Sequence, residues 1–201
     1  SLQGPPSDGD GGNGALMRNL PVVLATMDDD EAFERVSIAQ SHVTHHHPLS
    51  DAAVLGIGRL LRVLLRGGDQ AALQAAAADW VVAQRSFRFD PYPGRASAYV
   101  VDTVQTVLHS ITQHEDFEAA VVAAVNRGED ADTTGALVGM LAGARCGARG
   151  LPRRWLARLH EELAEDDKAL AYYRDAQKRK PSDEEPRMAA LRILERIGKP
   201  E

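Results

Sequence analysis

The 201-residue chain holds one cysteine, Cys146, so no internal disulfide framework is possible, and the pattern fits a reducing compartment. Aromatic residues make up only 5%. With Leu, Ala and Val abundant instead, composition favours helices over an aromatic-rich β architecture. No apolar run is long enough to span a bilayer, because Asp79 interrupts the alanine-rich stretch. The N-terminus lacks the apolar centre of a signal peptide. A cytoplasmic location is the expectation. Net positive charge is also missing: the formal charge is −6, and the one basic block is Arg174 to Lys180. That argues against a nucleic-acid partner.

The length allows one domain, or one domain with a small appendage. Such a chain buries roughly 70% of its unfolded surface, enough for a real core. Residues 1–12 are rich in Gly, Pro and Asp, form no periodic face and read as a flexible lead. Helices are expected over Ala15–Thr26, Glu31–His42, Ala52–Leu65 (capped by Ser50 and Asp51), Asp69–Arg85, 96–113 and Phe117–Asn126. The acidic run Asp28-Asp29-Asp30-Glu31 reads as N-terminal helix charge. Aromatic rings in Phe87-Arg88-Phe89-Asp90-Pro91-Tyr92-Pro93-Gly94 read as hydrophobic anchors. Asp102-Thr103 reads as a buried helix-to-helix hydrogen bond.

The stretch with most chemical content is Gly128-Glu129-Asp130-Ala131-Asp132-Thr133-Thr134-Gly135. An apolar run from Ala136 to Ala144 follows and reads as a buried helix. Two readings of the carboxylates stand. Asp favours the first turn of a helix as a cap and through the dipole. Equally, Asp130, Asp132 and the Thr133 hydroxyl offer oxygen ligands suited to Mg²⁺ or Mn²⁺. A calcium loop of the EF-hand type fails, since position twelve is Leu141 where Glu is required. Gly135, Gly139, Gly143 and Gly147 recur every fourth residue, a ridge that would admit a neighbouring helix closely.

Two other patterns test negative in their simplest form. Gly12-Asn13-Gly14 is no dinucleotide fingerprint, because position 17 is Met17 and no strand precedes it. It reads as a turn opening a helix, where backbone can approach a ligand. His42, His45, His46 and His47 lack the spacing and the intervening Glu of a zincin helix, and Pro48 ends the segment.

Taken together, Gly12-Asn13-Gly14-Ala15-x-Met17-Arg18, Thr44-His45, the acidic stretch 128–135, Gly143 and Gly150-Leu151-Pro152-x-x-Trp155-Leu156 resemble the motifs of the ADP-ribosylglycohydrolase family in order and spacing. The family's usual form has glycine where this chain has Glu129. The likeness covers roughly residues 12 to 160. Ser50-Asp51-Ala52-Ala53 and Phe89-x-Pro91-Tyr92-x-Gly94-x-Ala96-x-Ala98-Tyr99-x-Val101-Asp102-Thr103 are similar to the branch that acts on dinitrogenase reductase in nitrogen-fixing bacteria.

The resemblance implies an all-α, compact multi-helix bundle over residues 13–164. It implies metal-dependent hydrolysis of the N-glycosidic bond between ADP-ribose and an arginine side chain. One metal of a two-metal site, Mn²⁺ or Mg²⁺, would be held by Asp130, Asp132 and Thr133. Asn13, Gly14, His45 and Tyr99 would line the ADP-ribose cleft. A nitrogen-regulatory signalling protein as partner, with peripheral recruitment to a membrane, is compatible with it. The family's Gly-Asp-Ala-x-Gly and Thr-Asp-Asp-Thr segments do not occur in this sequence, and no residue here is assigned as catalytic. The expectation is therefore an N-terminally truncated chain that turns over slowly or not at all. An inactive ADP-ribose-binding or protein-interaction module is the alternative. Residues 165–201 depart from the family and are similar to one tetratricopeptide-like helix pair.

Overall fold

The structure is a computed structural model that describes Pro5 and residues 7–198. Eleven α-helices account for it, with no strand among the described residues beyond one isolated bridge between Gly12 and Tyr99. The helices are α1 (Gly14–Met17), α2 (Leu20–Ala25), α3 (Asp30–Ser41), α4 (Pro48–Leu65), α5 (Gln70–Ala83), α6 (Val100–Gln113), α7 (Phe117–Val125), α8 (Ala131–Cys146), α9 (Arg153–Glu162), α10 (Asp166–Arg179) and α11 (Glu184–Arg196). The expected all-α bundle is observed. No helix is long and apolar enough to cross a membrane among the described residues.

The chain divides into two compact units, Ser1–Gly147 and Ala148–Glu201. The expected boundary lay after residue 164. It falls earlier because Gly147, at φ +62°, ends α8, and Ala157 of α9 is buried with Ala169, Leu170 and Tyr173 of α10. The Trp155-Leu156 motif thus belongs to the second unit. There α10 and α11 pack as a pair, and α9 joins them as a third helix. Tyr173 is buried at its centre and donates its hydroxyl to Glu161 Oε2 at 2.9 Å. Burial, then the Glu161 bond and charge, push the phenol up to about 12, so it remains a donor at neutral pH.

In the first unit, α4 and α6 supply the centre of the core. Ala53, Val54, Ile57, Leu60, Leu61 and Leu64 recur at helical spacing on α4 and are all buried. On α6 nearly every side chain from Val100 to Thr112 is buried, because the helix is covered by α4, α5, α7 and α8. Arg62 is buried on α4 and binds Asp30 Oδ1 at 2.5 Å and Met27 O at 2.9 Å, with its guanidinium 4.7 Å from the Phe33 ring. The acidic run 28–31 therefore caps α3 through Asp29, which accepts from Ala32 N, and also supplies an ion pair.

Several local expectations are corrected. The helix expected over Ala15–Thr26 is two helices, since Pro21 has no N–H to give Met17 and its ring crowds that carbonyl. The cap of α4 is His47, whose Nδ1 accepts from Leu49 N at 3.1 Å, and not Ser50 or Asp51. Asp51 instead binds His42 Nε2 at 2.8 Å. The helix expected from residue 96 starts at Val100, leaving 96–99 extended. Within the lead expected to be flexible, residues 7–12 are tied down: Ser7 N donates to His46 O, Ser50 Oγ donates to Asp10 O and Gly12 O, and Val100 N donates to Gly11 O. The part of that expectation on residues 1–4 and 6 lies outside the described residues.

The glycine ridge of α8 faces α7, but only Gly135 is in tight contact, where an added Cβ would stand 2.6 Å from Val125 Cγ2. Gly139 and Gly143 sit at ordinary van der Waals distance, and Gly147 terminates the helix. A tighter approach occurs on α4, where a Cβ at Gly56 would lie 2.0 Å from the Trp80 ring. A Cβ at Gly58 of α4 would lie 2.6 Å from Phe33 Cζ and 3.3 Å from Val23 Cγ2, both fully buried side chains. Alanine would gain up to about 1 kcal/mol in helix propensity, and overpacking would cost about 1–3 kcal/mol. Gly58→Ala is therefore expected to lower the thermal midpoint by a few degrees, measured by circular dichroism.

Candidate functional site

The site forms where the N-termini of α1, α6 and α8 meet around the segment 96–100, whose last residue opens α6. That segment acts as a spine. Ala98 O accepts from Asn13 N at 3.1 Å, and Val100 N donates to Gly11 O at 2.9 Å. On its other side Ala96 O accepts from Asp130 N at 3.0 Å. The turn 11–14 and the acidic stretch 128–135, far apart in sequence, are thereby fixed to the same few residues.

Their side chains then meet directly. Asn13 Nδ2 donates to Asp130 Oδ2 at 2.5 Å and to Thr103 Oγ1 at 2.8 Å. Asn13 is the N-cap of α1 and Asp130 the N-cap of α8, yet neither side chain makes a capping hydrogen bond. Both residue types are favoured caps, worth about 1 kcal/mol each in that use. Here they bond to each other instead.

Asp130 is reached through two successive left-handed residues, Gly128 at φ +73° and Glu129 at φ +50°. A non-glycine residue is costly there. Glycine at position 129 would avoid that cost. Asp132 is exposed, and its Oδ1 accepts from Thr133 N at 2.9 Å. Thr133 is buried, with its hydroxyl 3.7 Å from Met17 Sδ. Asp130, Asp132 and Thr133 form an all-oxygen set that suits Mg²⁺ or Mn²⁺ in kind. It supplies three donors where an octahedral cation takes six. Among the described residues no group of three or more His, Cys, Asp or Glu side chains gathers at one point.

The rings beside the turn pack directly on glycine. The His45 ring lies flat over the turn, so that a Cβ at Gly14 would be 2.7 Å from its Cε1 and one at Gly12 3.1 Å from its Nε2. On the far side, Tyr99 Cε2 stands 3.1 Å from where a Gly11 Cβ would be, and the ring is 45% exposed. His45 Nδ1 is 2.7 Å from Thr44 Oγ1, which accepts from Arg18 Nη2 at 2.7 Å. Desolvation first, then the Arg18 charge, lower the His45 pKa below its ordinary value, with Asp10 opposing. The imidazole is neutral at pH 7. His42 and His46 stack at 3.7 Å beside Asp51, away from this turn.

Every residue expected at the site is thus brought to one place: Asn13 and Gly14 in the turn, His45 and Tyr99 flanking it, Asp130 bonded to Asn13, Asp132 and Thr133 opening α8. Of Asp102-Thr103, Thr103 makes the expected buried hydrogen bond between helices, to the α1 cap Asn13, and Asp102 does not. Asp102 Oδ2 accepts from Ser97 Oγ at 2.6 Å, within the spine that precedes its own helix, and Thr103 reaches the α1 cap and Ser97 O. Thr103 is the site residue that sequence reasoning passed over.

A model of the family described as ADP-ribosylglycohydrolase matches residues 2–183. This chain belongs to the ADP-ribosylglycohydrolase family. It is 48% identical over 155 residues to the ADP-ribosyl-[dinitrogen reductase] glycohydrolase of Rhodospirillum rubrum, covering 77% of this chain and 53% of that protein. It is 29% identical over 161 residues to the ADP-ribosylarginine hydrolase Tri1 of Pseudomonas putida (strain GB-1), covering 74% of this chain and 42% of that one. The chain spans about half the length of these curated relatives. A solved structure described as an ADP-ribosylglycohydrolase-related protein complex superimposes with a TM-score of 0.70 and 33% identity, over 85% of this chain and 62% of that one.

The depressed His45 pKa has a consequence for stability. A histidine that titrates lower when folded binds fewer protons than in the unfolded chain. Its contribution is full above the unfolded pKa of 6.5 and is lost as pH falls through the folded value. NMR titration of the His45 ring is expected to give a midpoint below 6.5, and Arg18→Ala is expected to raise it without restoring the ordinary value, since burial is the larger cause.

Proposed function

We propose that this chain carries the ADP-ribose wall and one carboxylate cluster of a hydrolase that removes ADP-ribose from an arginine side chain of a target protein. The observation that carries the reading is the Asn13–Asp130 bond, which places the glycine turn and its two flanking rings against the acidic start of α8. Its relatives' names support the substrate class: one is named for ADP-ribosyl dinitrogen reductase and another for ADP-ribosylarginine. Dinitrogenase reductase is accordingly the proposed target, and a nitrogen-regulatory signalling protein the proposed partner.

The chemistry asks for three things: stabilisation of positive character at ribose C1, an oriented water, and departure of a guanidine. Gly11, Gly12 and Gly14 let the Tyr99 and His45 rings pack directly on the turn, where those rings can meet the ribose and diphosphate. Tyr99 offers an exposed ring face, and neutral His45 offers an imidazole without adding charge. Asp130 and Asp132 bring negative charge to the side where C1 gains positive character. A divalent cation held by Asp130, Asp132 and Thr133, Mn²⁺ or Mg²⁺, would supply charge against which the ribose hydroxyls and a water are oriented. Asn13 holds Asp130 at that face.

The test is calorimetry of ADP-ribose binding with and without Mn²⁺, followed by single-turnover release of ADP-ribose from an ADP-ribosylated arginine protein. ADP-ribose is expected to bind, with Mn²⁺ strengthening it. Asp130→Asn is expected to weaken Mn²⁺ binding by at least about tenfold, the scale seen even for residues that only support metal ligands, and to remove whatever release is measured. No ADP-ribose binding under either condition would overturn the reading. Binding with no release would select an ADP-ribose-binding module.

A further inference from the structure

One amide nitrogen, Asn13 Nδ2, touches both Thr103 Oγ1 and Asp130 Oδ2. Asn13 and Thr103 are buried, at 6% and 0% exposure. The Thr103 hydroxyl hydrogen is directed to Ser97 O at 3.1 Å, which leaves its oxygen a lone pair to accept. A carboxylate accepts only. The atom between them must therefore be the NH₂ group, with one hydrogen to each. Turning the amide over would put Oδ1 against the carboxylate and against a hydroxyl whose hydrogen is already used. Asn13 Oδ1 then points elsewhere, and it carries no hydrogen bond among the described residues.

Resting on the function proposed above, we propose that Thr103 is a positioning residue. It fixes the Asn13 amide so that Nδ2 holds Asp130 while Oδ1 is kept as an acceptor for a ribose hydroxyl of the ADP-ribose ligand. The carboxylate alone would orient the amide only while its charge is undivided. Once Asp130 shares that charge with a cation, its pull on the amide weakens. Thr103 is neutral, buried and anchored on Ser97, so its pull does not change. With Nδ2 held by Thr103 and Asp130, Oδ1 makes no capping hydrogen bond to α1.

The experiment is ¹H–¹⁵N NMR of the Asn13 side-chain amide in the full metal-free chain, for the wild type, Thr103→Val and Thr103→Ser, with ADP-ribose affinity measured on each. Both Asn13 amide protons are expected to exchange slowly in the wild type. In Thr103→Val one proton should exchange fast, and ADP-ribose affinity should fall by about tenfold, the usual scale for a lost supporting bond. Thr103→Ser keeps the hydroxyl and should restore both. Unchanged amide exchange in Thr103→Val would overturn the proposal, as would Thr103→Ser behaving like Thr103→Val. If the valine variant does not fold, the wild type decides. Fast exchange of either amide proton overturns the proposal, and slow exchange of both, retained in Thr103→Ser, supports it. Failure of the wild type to bind ADP-ribose would sink the functional reading while leaving the amide measurement to judge the positioning.

Discussion

The hydrogen bond from Asn13 to Asp130 joins residues 117 positions apart and decides what this site can be. Without it the glycine turn would be an ordinary helix start, and the acidic stretch an ordinary capped helix. Two residues suited to capping leave their own helices uncapped, each at a cost of about 1 kcal/mol. The rest of the unit makes that affordable. Helices α4, α6 and α8 form a core whose facing positions are almost fully buried, and α6 holds Thr103 and Asp102 with no exposed turn at its start.

The spine at residues 96–100 fixes the surroundings of that single bond. Its carbonyls hold Asn13 and Asp130 by their backbone, so the two side chains meet by construction and not by chance rotamers. Tyr99, within the spine, is carried to one side of the turn. His45 comes from the other side, where the α3–α4 connection is held by Ser41, whose hydroxyl donates to His45 O at 3.0 Å. The glycines at 11, 12 and 14 are then required by contact: side chains there would collide with these two rings.

Much of the fold was legible in the sequence because helix periodicity is a local signal. The helix ending at Leu65 and the acidic start of α3 appear as written. The errors were local too, and physical. Pro21 splits a helix, His47 takes a cap from Ser50, and Gly147 ends a helix instead of extending a ridge. Asp130, Asp132 and Thr133 stood out as an oxygen-ligand pattern, whereas Asn13, His45 and Tyr99 were visible only through their likeness to a family. What no local pattern could show is pairing across 117 residues. Thr103 was read as half of a buried helix-to-helix hydrogen bond, with no partner named. Only its position beside Asn13 and Ser97 distinguishes it. The early boundary at Gly147 was hidden for the same reason, since the burial of Ala157 against α10 leaves no mark in α9 itself.

The central claim is that Asn13 and Asp130 act as one unit in binding ADP-ribose. The direct test is a double-mutant cycle, measuring ADP-ribose affinity in the presence of Mn²⁺ for wild type, Asn13→Ala, Asp130→Ala and the double variant. The account predicts that the second substitution adds little to the first, with a coupling energy of about 0.5–3 kcal/mol, the range for residues sharing one network. Additive losses would mean that the two residues serve the ligand independently, and would contradict it.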